Sequence, residues 1–516
     1  MGRGGIARTE SVMVLVITLA AVALVTGGGI IVGKDQSRDL EGWLVNSRLM
    51  GPVLVWFLLG TEIYTAFTFQ GLAGYAFAKG SAAFYNVALN DVAYALGFFI
   101  LPAVWLIGKK FGYVTQSDFL AGRYQSKNLG IFVAFTSALI MIAYIDLNIE
   151  GLGAVVRVIG QNAFNQTASD LLGFLVLAVA VLLGGIRGNA WQSMVKDILM
   201  FIAVIAIFIV VPIHYFGSFG HMYTEMTTKL PKYLVLPGAS KTLGPLWLVS
   251  TVAITGMGQW MWPQWFGVAY TARSPRTLKL QAVFMPLYQL VKVMMITIGL
   301  AAVLIFAADK VKGNDVVMLL ALKTFPAWFL TLFTIAAVFA AVIPAGPIIM
   351  TSASLIAKNV YGALVSGTSE STIYRLTKGL VFPLTLVAFL LAILDPALIV
   401  VVLLVAYDFI SQLFPAVVIG GLFWRRATKE GATAGIIVGW VISGVLLLTN
   451  HDPLFGINAG LIALAGNLIV FFGVSAMTQP VPHDELKKFF AAAFPQRKID
   501  RTTRETLGIQ KVPNSD

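Results

Sequence analysis

Apolar stretches long enough to cross a lipid bilayer recur from Ser11 to Thr478, and they decide the class of the chain before any motif is read. A spanning helix needs about 20 mostly apolar residues, because a bilayer holds no water to satisfy a free backbone amide or carbonyl. Runs bounded by Gly, Pro, Asn and charge fall at 11–33, 52–77, 84–108, 129–158, 169–187, 190–216, 243–270, 278–308, 326–359, 372–394, 397–422, 431–449 and 457–478. The expectation is an all-α polytopic membrane protein of about thirteen transmembrane helices. Composition agrees: 58% of the 516 residues are hydrophobic and 12% charged, where a soluble domain carries roughly a quarter charged residues. The first run is too long for a signal-peptide core, and no small-residue cleavage site precedes Lys34, so it is read as a retained helix.

Several function classes drop out. The chain has no cysteine, which removes disulfides, thiolate metal sites and cysteine nucleophiles. Its four histidines (His214, His221, His451, His483) sit outside or at the ends of the apolar runs without ligand spacing. A net charge of +12 invites a nucleic-acid reading. The basic residues, however, lie in short loops between apolar runs, where they meet anionic lipid instead. With thirteen helices and the C-terminus inside, 24 of the 36 Lys and Arg fall on the inner side and 10 on the outer, leaving Lys196 and Lys292 within helices. This bias orients the N-terminus outside and the C-terminus inside a bacterial-type cytoplasmic membrane. The polar tail, 479–516, is too small for an enzyme domain.

Two runs are built badly as helices. LLGTEIYTAFTFQGLAGY (58–75) carries Gly60, Gly71 and Gly74 with β-branched Thr61, Thr65 and Thr68. TGMGQWMWPQWFG (255–267) carries Gly256, Gly258 and Pro263. Such residues free backbone groups that something must satisfy. They serve either tight packing and a plain kink, or unwound helix halves lining a midplane site. The two runs are the second and seventh of the series, five apart, which is the spacing of an inverted repeat of five and favours a site.

The run GLFWRRATKEGATAGIIVG (421–439), with Gly421-Leu422, Arg426, Gly431-Ala432, Gly435 and Gly439, resembles the signature of the solute:sodium symporter family. GLAG (71–74), Gly184-Gly185 before Trp191, and Asn359-Val360-Tyr361 agree with it. Within the family, GTEIYTAFT (60–68), YVTQSDFLAGRY (113–124), MVKDILMF (194–201) and FAAVIPAG (339–346) look most like bacterial monocarboxylate permeases. The resemblance implies a five-plus-five inverted-repeat core of the leucine-transporter type with discontinuous helices. It divides the chain into an extra N-terminal helix and loop (1–51), a transport core (52–422, with repeats at about 52–216 and 243–422), two C-terminal helices (423–478) and the tail. Core helices one to ten are then the second to the eleventh runs in order, and core helices one and six, 52–77 and 243–270, are the two already marked as broken.

Family members that use sodium hold it with carbonyls of core helix one and a hydroxyl pair on core helix eight, with an Asp on core helix five nearby. Counting back from Tyr361 puts Ile343-Pro344 at the hydroxyl positions, and counting from Gly184-Gly185 and Trp191 puts Ser193 at the Asp. Neither Ile nor Pro offers a side-chain oxygen to a hard cation. Lys196, one turn past Ser193 and nine residues past Arg187, lies roughly 13 Å into the helix, near the midplane. One reading makes its ammonium the substitute for the missing sodium and a carrier of proton coupling. The other makes it half of a structural ion pair. Adjacent helical residues point about 100° apart, so Asp197 is expected to pair with another helix or to accept a proton, and not to pair with Lys196; Ser193 and Asp197 join Lys196 as candidate coupling residues.

Glu62, in the broken run, is the best further coupling candidate. Thr61, Thr65 and Gln70 on core helix one, Asn148 on core helix three, and Gln259, Trp260 and Gln264 on core helix six are the candidate substrate-binding residues. Gln259 and Gln264 are the best placed to orient a carboxylate. Asp146 and Glu150, one turn apart around Asn148, line an outer vestibule or form a solvated face. The expected function is import of a small organic monocarboxylate coupled to H⁺ or Na⁺, protons favoured. No other cofactor, no nucleic acid and no obligate protein partner is expected. The alternatives are a sodium-driven symporter of another small solute and a non-transporting nutrient sensor.

Overall fold

The computed structural model describes residues 8–33, 39–161, 163, 165–183, 186–306, 311–394 and 399–494; Gly184-Gly185 and most of the tail lie outside them. Every named element among the described residues is helical. Among the described residues ten helical stretches are long and apolar enough to cross a bilayer, and one of them, Phe67–Phe111, joins the second half of core helix one to core helix two. Two shorter apolar helices, Pro52–Thr61 and Gln166–Ala178, accompany them among the described residues.

Core helix one runs from Pro52 to Thr61, opens over residues 62–65, and resumes through a wide-turn stretch, Phe67–Gly71, into Leu72–Lys79. Core helix six runs Pro245–Gly258, tightens over Gln259–Met261, turns extended at Trp262 and restarts at Pro263. Pro263 takes the first helical position, where its missing N–H is no loss. Both expected breaks are present. Core helix five, Ile186–Phe216, is continuous and buries Ser193, Lys196 and Asp197. It packs between core helices one, seven and eight, which places its polar face against the first break.

Core helix seven differs from expectation. The run at 278–308 forms two α-helical pieces, Pro275–Phe284 and Gln289–Ile305, joined by a tight 3₁₀ segment, Met285–Tyr288. Pro286 within the joint cannot donate a helical hydrogen bond, which accounts for the change of winding.

The tail is also not polar throughout. His483–Ala493 is an amphipathic helix that buries Leu486, Phe489 and Phe490. A short helix between core helices two and three, Gln116–Tyr124, starts with a capping box made by Thr115 and Asp118. It carries Phe119, whose ring packs edge-on against Phe489.

Candidate functional site

The site follows from where the freed backbone of core helix one goes. Buried carbonyls must find donors, and each of the four between Thr61 and Tyr64 has one. Lys196 Nζ donates to Tyr64 O at 2.7 Å and to Thr61 O at 3.3 Å. Tyr144 Oη, from core helix three, donates to Glu62 O at 3.2 Å. Thr68 Oγ1 donates to Ile63 O. One side chain from core helix five thus holds the unwound segment at two points.

Asp197 Oδ1 lies 2.9 Å from Lys196 Nζ, and both side chains are fully buried. The expectation that neighbours on one helix cannot pair is overturned. The four-carbon lysine stem is long enough to bring its ammonium back around the helix to the adjacent carboxylate. The ammonium donates to Thr61 O and Tyr64 O, and its contact with Asp197 Oδ1 is an ion pair by proximity without a well-formed hydrogen bond. The second Asp197 oxygen does reach another helix, as expected, accepting from Tyr288 Oη at 2.7 Å.

The former sodium positions are otherwise engaged. Ile343 contributes only its carbonyl, which accepts from Asn189 Nδ2 at 2.7 Å, and Pro344 is buried within core helix eight. Ser193 Oγ bonds back to Asn189 O of its own helix at 2.7 Å and makes no bond to Lys196.

The predicted substrate residues divide. Thr61 Oγ1, both Glu62 oxygens, both polar atoms of Gln70 and of Gln264, and Asn148 Oδ1 are buried without a well-formed hydrogen bond among the described residues. Glu62 interacts with the Gln264 amide across the two broken helices and with the Lys196 charge, short of good hydrogen-bond geometry. Gln70 packs on core helix three, where the surface of Gly151 leaves room for its amide. Buried polar atoms are almost always partnered, so this concentration on and beside two helix breaks suits a polar ligand.

The other candidates are directed elsewhere. Thr65 Oγ1 accepts from Phe67 N at 3.1 Å and closes the local turn. Gln259 accepts from Tyr407 Oη. Trp260 reaches core helix two: its indole donates to Ala93 O and fills the notch at Gly97. Asn148, Asp146 and Glu150 are all buried, which removes the solvated-face reading, and Glu150 receives a bond from Asn314 Nδ2 at 3.3 Å.

Three aromatics complete the surroundings; the sequence singles out Trp262, among the aromatics of 259–266 offered as a gate for a small substrate, but neither Tyr144 nor Tyr407. Trp262, at the break of core helix six, contacts Tyr144 and Tyr407 edge-on at 5.1 and 5.4 Å. Tyr144 lies one turn before Asn148, a spacing that could have drawn attention to it. Tyr407 has no local signal.

A helical membrane bundle with two helices broken side by side, and a buried ion pair at one break, is the architecture of a leucine-transporter-type secondary transporter. The chain belongs to the sodium:solute symporter family, which it matches over residues 43–439. It is 35% identical over 478 residues to the uncharacterized symporter YhjB of Bacillus subtilis (strain 168), covering 90% of this chain and 97% of that protein. It is 27% identical over 497 residues to the monocarboxylate transport permease protein of Rhizobium johnstonii, covering 90% and 96%. Among solved structures, a Na⁺-coupled sialic acid symporter in a substrate-bound outward-open state superposes with a TM-score of 0.74, covering 92% of this chain and 99% of that one. Its 17% identity speaks for the fold alone.

Proposed function

We propose that this symporter imports a small organic monocarboxylate of the lactate or pyruvate type together with protons, with Lys196 as the fixed cation that replaces coupling sodium. The observation that carries the reading is the ammonium bonded to Thr61 O and Tyr64 O at the break of core helix one. A sodium ion would need those carbonyls and side-chain oxygens from core helix eight, where Ile343 and Pro344 stand. Glu62, Gln264, Thr61, Gln70 and Asn148 are the polar groups assigned to substrate and proton. The likeness to a monocarboxylate permease over most of both chains supports the substrate class. The charge bias puts the N-terminus outside and the C-terminus inside, with the repeats at 52–216 and 243–422.

A second reading, sodium-driven transport of another small solute through a rearranged site, draws on the family's sodium-coupled members. The test is uptake of labelled pyruvate and lactate into proteoliposomes under separately imposed proton and sodium gradients. Proton-driven uptake that disappears in Lys196→Ala is the expected result. Uptake driven by sodium alone removes the lysine's assigned role and favours the second reading.

A further inference from the structure

The Lys196–Asp197 pair does not end at core helix five. Asp197 Oδ2 accepts a 2.7 Å hydrogen bond from Tyr288 Oη, and Tyr288 is the last residue of the 3₁₀ joint in core helix seven. Its ring is wholly buried. It lies against Trp56 (centroids 4.5 Å apart), before the break of core helix one, and against Tyr64 (4.4 Å), within the break. A Cβ at Gly60 would collide with the Tyr288 hydroxyl and ring, so only glycine allows this approach. Tyr64 Oη in turn donates to Tyr288 O at 3.2 Å. One side chain therefore touches core helix one before and within its break and the buried carboxylate beside it, from the joint of a third helix.

We propose that Tyr288 is a positioning residue that links the Lys196–Asp197 pair at the break of core helix one to the 3₁₀ joint of core helix seven. A change at the break is thereby carried into that helix. A 3₁₀ stretch within a longer helix is a place where the axis can rebend with little loss of hydrogen bonding. The phenol is rigid and held at three points. Displacing the carbonyls of Thr61 and Tyr64 moves Lys196, then Asp197, then the joint. The proposal rests on the reading of Lys196 as the fixed cation of a symporter. It adds that the coupling leaves core helix five through one hydroxyl.

The test separates gradient-driven accumulation from equilibrium counterflow, which needs the substrate site and alternating access but no coupling. Tyr288→Phe keeps the ring that fills the notch at Gly60 and removes only the hydroxyl. In reconstituted protein, accumulation of labelled pyruvate or lactate under an imposed proton gradient is expected to fall roughly tenfold, the scale of one hydrogen bond to a charged group, with counterflow within about twofold of wild type. Tyr64→Phe removes the bond from Tyr64 Oη to Tyr288 O while keeping the ring and the backbone carbonyl that Lys196 holds; it is expected to show the same split, which keeps the test alive should the Tyr288 variant not fold. Unchanged accumulation in either folded variant overturns the proposal. Loss of counterflow in parallel with accumulation also overturns it, since that marks a merely structural contact. Wild-type vesicles that accumulate neither acid under either gradient bring down the transport reading itself, a result distinct from a driven wild type beside an equally driven variant.

Discussion

Among the described residues, two buried or half-buried Lys–Asp pairs have opposite logic. Lys196 and Asp197 are neighbours in sequence, wholly buried in the middle of the bundle. Lys358 and Asp118 are 240 residues apart and meet at its edge, with their side chains 26% and 11% exposed. In the first pair the cation is the hub, and its remaining donors hold unwound carbonyls of another helix. In the second the anion is the hub. Asp118 accepts from Val114 N, Thr115 N and Asn359 Nδ2 as well as from Lys358. It closes a helix N-terminus and ties it to the end of core helix eight. A cation that holds free carbonyls can be exchanged for an ion and suits coupling. An anion that saturates its own helix cap suits closure.

The short helix that Asp118 caps makes further contacts of the closing kind. Gln116 Nε2 donates to Met261 O, at the break of core helix six, at 2.8 Å. Arg123 donates to Gly420 O at 2.8 Å and to Trp424 O at 3.1 Å, near the end of core helix ten, with its guanidinium over the Phe490 ring of the tail helix. The second pair thus sits in a junction that touches core helix six at its break, the end of core helix ten and the tail helix.

The comparison breaks most sharply at Lys196. Lys196→Met leaves Asp197 buried without its counter-charge and frees two carbonyls, and is expected to destabilise the detergent-solubilised protein by about 3–5 kcal/mol. Thermal unfolding followed by tryptophan fluorescence, alongside gradient-driven uptake, measures both losses. Little change in either would make the midplane pair as structural as its counterpart.

Asp118→Asn is the next largest, about 1–3 kcal/mol, because it weakens a charge-assisted cluster while keeping its shape. Burial alone would raise the Asp118 carboxyl, but the Lys358 charge and the bonds from Lys358, Val114 N and Asn359 outweigh it and hold the carboxyl below the ordinary aspartate range. A depressed carboxyl contributes stability above its unfolded value, near 3.9, and loses it as pH falls through the lower folded value. The melting difference between wild type and Asp118→Asn is therefore expected to be full at neutral pH and to shrink only in strong acid. A difference independent of pH would mean the ion pair contributes nothing beyond packing.

Glu62→Gln sharpens the first half of the comparison. It replaces a buried titratable carboxyl that lacks a well-formed hydrogen bond, so stability is expected to hold or rise by about 1 kcal/mol while proton-driven accumulation falls. Parallel loss of fold and uptake would make Glu62 a structural residue. Smallest is Gln116→Ala, about 1 kcal/mol for one bond to Met261 O, with altered exchange rates and unaltered driven accumulation. Counterflow kinetics check it.

Much of this was legible in sequence where local chemistry suffices. Gly60 with its β-branched neighbours, and Gly258 with Pro263, announce both breaks because they weaken a helix wherever it sits. Lys196 stands out because a lysine nine residues into an apolar run has no cheap exposed position. Pro286 marked the joint of core helix seven equally well and passed unread. The Lys196–Asp197 pair was misjudged from the angular spacing of Cβ atoms, which ignores the reach of a lysine.

Composition, run length and helix-breaking residues by themselves determined a polytopic bundle, its two interrupted helices and a charge at mid-depth. These depend on backbone chemistry and on the absence of water, which act the same way in any neighbourhood. Only the tertiary structure decided that Lys196 ends on Thr61 O and Tyr64 O, that Tyr288 meets Asp197 through the notch at Gly60, that Trp260 turns to core helix two, and that Asp118 finds Lys358. Each of those contacts joins residues far apart in the chain, and which distant groups meet is set by how the helices pack.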